Sequence, residues 1–473
     1  AELERSPAPA RHGTLVGPLL DWLDGDRSPA NAYRGTEHFQ YGPAMLAAAR
    51  GTAGWLHDGV VRDEQPASLI AHGLDAVGID LLDDDGQPRF DDGYQVDLIG
   101  RVLGAFLDSL TIVVVGLIGR RLGGRRIGVV SAGLYATSVM AIQHAHFLSS
   151  EPLVGLLSAC TILAVLRIDR GDHAQVWRGG LVAGLCAGAA LAAKLSAVSV
   201  AIVPVALCAW LLISRRRAAD SVRLGALFAG MLAAFRVVHP GAYNGLGLTW
   251  STSFTTDVGE MLENATIDKP PAVQWANRSG FVDGVLWLFQ FTLGPGAFVA
   301  AVLGGIVCWR RRESFGRWNL AVLSAPLLAA AVVVLRSMVF TGRYLVPIMP
   351  VVYVLAGFGV VALWEWRPAL RRLRLAGRTS AVVVCGLAVL WAAAFVQGVY
   401  GHTNTRIEAS RWIDANVPRG AVLTDQSWDD SMPLRVPGID RDDWQHVTLA
   451  LWDTDTVAKA DDLARQLANV DYV

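Results

Sequence analysis

The turn AIQHAHFLSSE, residues 141–151, joins two apolar runs, 127–141 and 152–166, and carries histidines and a glutamate but no arginine or lysine. The turns on the far sides of those runs are arginine-rich: Arg120, Arg121, Arg125 and Arg126 before the first, Arg167, Arg170 and Arg178 after the second. Apolar runs of near-membrane length, joined by turns that are alternately basic and non-basic, read as helices crossing a bilayer with their basic turns in the cytoplasm. The turn 141–151 then belongs to the extracytoplasmic side.

The same alternation extends along the chain. About ten spans are expected, at roughly 98–119, 127–142, 152–168, 179–194, 196–214, 222–238, 290–309, 319–335, 345–364 and 379–399. Further basic loops hold Arg215, Arg216, Arg217 and Arg223, then Arg310, Arg311, Arg312 and Arg317, then Arg367, Arg371, Arg372, Arg374 and Arg378. Every odd-numbered span is followed by such a loop and no even-numbered span is. Composition agrees: 53% of the 473 residues are hydrophobic and 18% charged, against about 25% charged in soluble proteins. A nucleic-acid partner is not expected.

Three regions follow. Residues 1–97 form an extracytoplasmic first loop, with an interfacial helix near 41–56 that is too short to span and holds Arg50. Residues 98–400 form the transmembrane bundle, with an outer loop at 239–289. Residues 401–473 read as a small soluble extracytoplasmic α/β region, with a helix at 407–417, strands at 421–424 and 447–452, a helix at 456–468 and a strand beginning at 471. Alternating helix and strand predicts a parallel sheet. Residue 1 is not a methionine and would start outside, so a leading span and the rest of the tail are expected beyond both ends.

Ionisable groups within or beside spans are costly and mark sites or pairs. Arg101 and Asp108 share one face of span one. Arg101 sits near the outer end, where it could meet an anionic headgroup or simply reach the interface, and Asp108 could pair with another helix. Glu151 opens span three, where a carboxylate also suits the helix dipole. His146 and His144 precede it in the same turn. Lys194 closes the Ala/Gly-rich GLCAGAALAAK and is one of only three lysines, with Lys269 and Lys459. A lysine there can serve as a point charge for phosphate or rest at the interface. Arg343, followed by Tyr344, lies in FTGRYLVP, and Arg336 ends span eight; arginine suits bidentate phosphate contact. The outer loop carries DKPPAVQW, residues 268–275. All five cysteines, Cys160, Cys186, Cys208, Cys308 and Cys385, fall in apolar runs and read as inert fillers. No metal site is expected, although the chemistry is compatible with a divalent cation.

Seven stretches, in order along the chain, resemble a known group: SPANAY…FQYGPA (28–44), IGRVLGAFLD (99–108), IQHAHFLSSEPL (142–153), GLCAGAALAAKLSA (184–197), DKPPAVQWANR (268–278), FTGRYLVPIMP (340–350) and RIEASRWIDANVPRGAVLTDQSWDD (406–430). They are similar to the phospholipid-carrier-dependent glycosyltransferases of the GT-C fold, related to protein O-mannosyltransferases and aminoarabinose transferases (glycosyltransferase family 39 type). The resemblance implies an all-α polytopic bundle that moves a sugar from a polyprenyl-phosphate donor to a hydroxyl of an acceptor protein, lipid or glycan. Transfer would occur with inversion on the extracytoplasmic face of a bacterial plasma membrane, amid membrane lipid. Arg101, His146, Glu151, Lys194 and Arg343 fall at the family's recurring polar positions, although Glu151 stands where aspartate is more usual.

The family's catalytic carboxylate sits in an Asp-Glu pair early in the first outer loop. No such pair precedes Ser28 here. Either it lies upstream of residue 1, or Asp21, Asp24, Asp26 or Glu37 takes its place. A phosphate leaving group needs cations, for which Arg101, Lys194 and Arg343 are available with Asp108 and Tyr344 beside them. The acceptor hydroxyl needs a carboxylate base, with Glu37, Glu151 and His146 as the acid–base candidates. A polytopic transporter or lipid-linked-glycan flippase is the competing reading, yet such proteins tend to show internal repeats, and none is evident here.

Overall fold

A computed structural model of the chain describes residues 16–31, 33, 43–76, 81–82, 86, 93–168, 176–264, 275, 277–337, 340–426, 431–434, 436, 438–449, 451 and 455–473. The chain divides into two compact units, residues 1–263 with 279–391, and residues 264–278 with 392–473.

The first unit is helical. Its first loop holds α1 (Val16–Leu23), α2 (Ala44–Val61) and α3 (Ala67–Ala76). The bundle follows with α4 (Gly93–Gly123), α5 (Arg125–Ala136), α6 (Val139–Ala145), α7 (Glu151–Ile168), α8 (Val176–Ala193), α9 (Val198–Arg215) and α10 (Ala218–Val238). After α11 (Thr252–Asn264) come α12 (Gly280–Trp287), α13 (Gly294–Arg310), α14 (Arg312–Phe315), α15 (Arg317–Arg336), α16 (Met349–Glu365) and α17 (Arg371–Phe395). Among the described residues eight helices are long and apolar enough to cross a membrane, or ten if each of two bent pairs is one span. The chain is an integral membrane protein, and the polytopic helical bundle expected from the sequence is what the structure shows.

Both bent pairs depart from the straight spans expected. Between α5 and α6 the axis turns by 57°. Thr137 ends the first helix and the Ser138 hydroxyl accepts from the Ala141 amide (3.3 Å), capping the second. Between residues 280–292 and α13 the axis turns by 118°. Here Gly294 adopts φ +73, a conformation a side chain resists, and Pro295 fits the first turn of the new helix, where its missing N–H costs nothing.

Packing is closest where side chains are absent. Gly180, Gly184 and Gly188 recur every four residues along one face of α8. A Cβ on any of them would collide with the carbonyl oxygens of Arg223, Leu227 and Met231 on α10, and Gly230 of α10 meets the Leu181 carbonyl in return. Small residues let backbones touch, which is how helices associate where lipid offers no hydrophobic drive. Helix α16 runs through the centre, buried on every side from Met349 to Val361.

The arginine-bearing turns gather at one end of this unit. Arg126 pairs with Glu365 at 2.8 Å, Arg121 donates to the Leu166 carbonyl at 2.8 Å, and the Trp318 indole donates to the Val165 carbonyl at 3.3 Å. Those bonds join the ends of α4, α7 and α16 to the starts of α5 and α15. Helix α7 rises about 27 Å over its 18 residues, so Glu151 at its start stands at the opposite end.

The second unit is the small α/β region. Helix α18 (Thr405–Asn416) is capped by Asn404, and α19 (Val457–Leu467) by Thr456. Strands β1 (Val422–Gln426) and β2 (Gln445–Leu449) pair in parallel, with Val422 opposite Gln445, and Tyr472 adds a parallel bridge to Leu423. Val417, Ala421, Leu423 and Trp444 form its core. Arg419 covers the Trp444 ring at 4.4 Å and pairs with Asp414 and Asp443. The parallel sheet expected of the tail is present.

Candidate functional site

At the end opposite the arginine-bearing turns three segments converge: the start of α7, the turn after α8, where Lys194 precedes a 3₁₀ turn (Leu195–Ala197), and the 3₁₀ segment Gly342–Ile348 leading into α16. Each brings one charge. The Lys194 ammonium donates to the Glu151 carboxylate, and both side chains are buried, 8% and 4% exposed. Arg343 acts electrostatically on both, and half-buried His144 lies within the field of all three. Among the described residues two cations face one carboxylate in a largely desolvated place, an arrangement able to receive an anionic ligand.

The same segments hold a second signal. The hydroxyls of Ser149, Ser150, Ser196 and Thr341 are buried and have no hydrogen-bond partner among the described residues. A buried polar group left unpaired costs about 1–3 kcal/mol. Ser149 and Ser150 adjoin Glu151, Ser196 follows Lys194, and Thr341 precedes Arg343. Each charge-bearing segment thus carries a hydroxyl able to donate to a bound anion. Sequence reasoning passed over these hydroxyls, since Ser and Thr are common and only burial singles them out.

The other sequence candidates sit differently. His146 is exposed, with its ring Nδ1 2.6 Å from the Ile142 carbonyl of its own helix, so His144 is the histidine brought to the cluster. Arg101 is exposed on α4 and pairs with Asp97 one turn before it. Asp108 accepts from the Tyr135 hydroxyl at 2.9 Å; Tyr135 meets the Tyr353 ring edge-on, and Tyr353 donates to the Thr292 carbonyl at 2.7 Å. This chain of groups ties α4, α5 and α16 together inside the bundle. Tyr344 is half-buried beside Phe340. Glu37, residues 268–274 and the side chain of Arg336 lie outside the described residues. No group of three metal-ligating side chains occurs among the described residues.

A neighbouring junction went unnoticed in the sequence. Arg236, in the last turn of α10, donates to the carbonyls of Leu23 and Gly245 and stacks over Tyr243 at 4.5 Å. It thereby docks the first loop on the bundle. Further bonds run from the Trp22 indole to the Val237 carbonyl (2.9 Å), from the Gly25 amide to Gly245 (2.8 Å) and from the Asn31 side chain to Gly25 (2.8 Å). Asp24 and Asp26 lie in this docked turn, where the Asp24 carboxylate accepts the Asp26 amide at 3.0 Å. Tyr243 and Phe235 pack on Ala192, two residues before Lys194. An arginine inside the apolar AAFRVVH was the available clue.

His239 closes the junction, its ring stacked between Tyr33 and Phe235 and edge-on to Phe254. Burial pushes its pKa down to about 4, despite the opposing field of Asp257, whereas an unfolded histidine titrates near 6.5. Burial first, and then the charge and hydrogen bond of Asp257, hold the Tyr33 phenol above its usual value. Because the fold keeps His239 neutral, its contribution is whole above pH 6.5 and is lost as pH falls through 4. The difference corresponds to roughly 3 kcal/mol. His239→Phe is therefore expected to flatten the fall in melting temperature between pH 6.5 and 4. An unchanged acid limb would assign that loss to other groups.

In the second unit Asp425, near the end of β1, accepts from the Ser431 hydroxyl and lies 3.8 Å from the His446 ring. Burial alone would raise its carboxyl. Hydrogen bonds from Ser431 and Thr448, with the nearby His446 and Arg441, hold it below the usual carboxylate value.

No curated protein sequence matches the chain. Among solved structures it is similar to the oligosaccharyltransferase of Archaeoglobus fulgidus in complex with Zn and sulfate, with a TM-score of 0.49 and 12% identity over 86% of this chain and 56% of that one. The same enzyme tethered to an acceptor peptide gives 0.45 and 15% over 71% and 51%. ArnT from Cupriavidus metallidurans bound to undecaprenyl phosphate gives 0.41 and 17% over 84% and 71%. The chain thus spans about half the length of the oligosaccharyltransferase. Residues 96–243 match the family model described as dolichyl-phosphate-mannose-protein mannosyltransferase, so the resemblance read from the sequence is borne out over a segment that holds Arg101, Asp108, His144, Glu151 and Lys194.

Proposed function

We propose that the protein is a membrane glycosyltransferase that moves a sugar from a polyprenyl-phosphate donor to an acceptor hydroxyl on the extracytoplasmic face. The observation that carries this reading is the buried group Glu151, Lys194 and Arg343 with its four unpaired hydroxyls. It suits one phosphate held at the end of the spans, with a lipid tail among the helices and a sugar beyond them. Family likeness over residues 96–243 supports the transfer chemistry, and the sorting of the arginine turns to the other end supports the sidedness.

In this reading Lys194 and Arg343 hold the donor phosphate and stabilise it as it leaves. The acceptor hydroxyl attacks the anomeric carbon from the opposite side, which inverts it, and gives its proton to a carboxylate. Glu151 is committed to Lys194 and makes a poor base. The first loop, fixed by Arg236 near the end of α8, is the better source, with Asp24, Asp26 and Glu37 as its candidates.

The test is the full-length protein in sealed vesicles with a radiolabelled polyprenyl-phosphate sugar. Label should pass to an acceptor on the face away from the arginine turns, with polyprenyl phosphate released. Intact donor carried across the bilayer, with no label transferred, would instead establish the flippase reading.

A further inference from the structure

Glu151 is a buried carboxylate that the proposed transfer does not use, placed against the cation that it needs. A phosphate site improved only for affinity would leave Lys194 and Arg343 to the ligand. Instead a fixed negative charge, 4% exposed, touches Lys194 and feels Arg343. In such a place water screens little, and charges act strongly on each other.

The two phosphates that the site must handle differ in charge. The donor is a phosphodiester between lipid and sugar, with one negative charge. Transfer breaks the bond from the sugar to its phosphate oxygen, forms the new glycosidic bond and leaves a lipid phosphomonoester. The acceptor's proton goes to the base. A phosphomonoester has a second pKa near 6 and carries about two charges at neutral pH. With the lysine and arginine alone, the site would hold its product more tightly than its substrate.

We propose that Glu151 is an internal counter-anion that sets the site against the dianionic product, so that the monoanionic donor is held and the spent lipid phosphate is released. This rests on the phosphate reading above. Whatever else Lys194 and Arg343 touch, the fixed charge of Glu151 repels a dianionic phosphomonoester about twice as strongly as a monoanionic phosphodiester in the same place. The hydroxyls of Ser150, Ser196 and Thr341 serve either ligand alike, being neutral. Among the described residues at this place the carboxylate that discriminates by charge is Glu151, which acts beside Lys194 and Arg343 as a positioning and selecting residue. His144, within the same field, is a further neutral donor when unprotonated.

The probes are farnesyl phosphate, a phosphomonoester, and its methyl ester, a phosphodiester of the same tail. Binding of each is measured at pH 7.5 to the full-length protein in nanodiscs. Wild type should bind the methyl ester at least as tightly as the monoester. Glu151→Gln should tighten the monoester tenfold or more and the methyl ester several-fold less, while kcat drops and product inhibition sharpens. Wild type that prefers the monoester by tenfold or more would overturn the proposal without any variant, and so would equal changes for both probes in Glu151→Gln. Should Glu151→Gln fail to accumulate, Glu151→Asp keeps the charge and should keep the wild-type ratio of the two affinities; a ratio shifted toward the monoester would also overturn it. The phosphate reading fails separately, if wild type binds neither probe or if Lys194→Met binds both unchanged.

Discussion

Lys194→Met is expected to reduce sugar transfer by about a hundredfold or more, the scale of losing one group that stabilises charge in a transition state. Methionine keeps most of the length of the side chain and removes its charge and its hydrogen-bond donors. The same substitution strands Glu151 as a buried, unpaired carboxylate, and breaking such a pair costs about 3–5 kcal/mol. A fall in melting temperature should therefore accompany the loss of activity. The double variant Lys194→Met with Glu151→Gln separates the two effects, because the stranded charge is gone. Stability should return and activity should not. Activity restored together with stability would make Lys194 a structural residue only. Arg343→Lys, which keeps charge but loses the planar fork, should weaken donor binding more than it slows turnover.

Gly184→Leu should have the largest effect on the fold. The middle glycine of the α8 series faces the Leu227 carbonyl, so even a Cβ meets backbone there. Overpacking a core costs about 1–3 kcal/mol when neighbouring side chains can yield; a helix backbone cannot, and the loss should exceed that range. Little folded protein should survive detergent extraction. Gly133→Leu, on α5 with open space where its side chain would stand, is the matched control and should behave as wild type. Equal yields of the two would show that α8 and α10 are not held by backbone packing.

The outline of the fold was legible because it rests on sums. The five arginine turns and the apolar runs between them each carry many residues, and bilayer thickness turns them into spans. Lys194, Glu151 and Arg343 could be picked out singly because a charge beside an apolar run is costly. Their meeting could not be read, since it depends on three turns more than 40 residues apart in pairing. His144 and His146 were indistinguishable for a related reason. The segment leaves helical geometry after Ala145, so spacing no longer says which ring turns inward. The break at Gly294 hid in an apolar stretch whose hydropathy does not change across it. The unpaired hydroxyls have no sequence signature at all.

The close seating of α8 on α10 has a mechanical corollary. Two rods joined backbone to backbone along their length behave as a single plank, and the plank holds Lys194 at one tip and Arg236 beside it. The gap between Lys194 and the docked first loop is then set by that packing. On the proposed reading, a movement that admits a lipid tail falls outside this pair, and the 118° bend ahead of Gly294, with its π-helical turn at Leu288–Thr292, interrupts the regular helical hydrogen bonds. Amide hydrogens of residues 280–292 should accordingly exchange faster than those of α8 and α10.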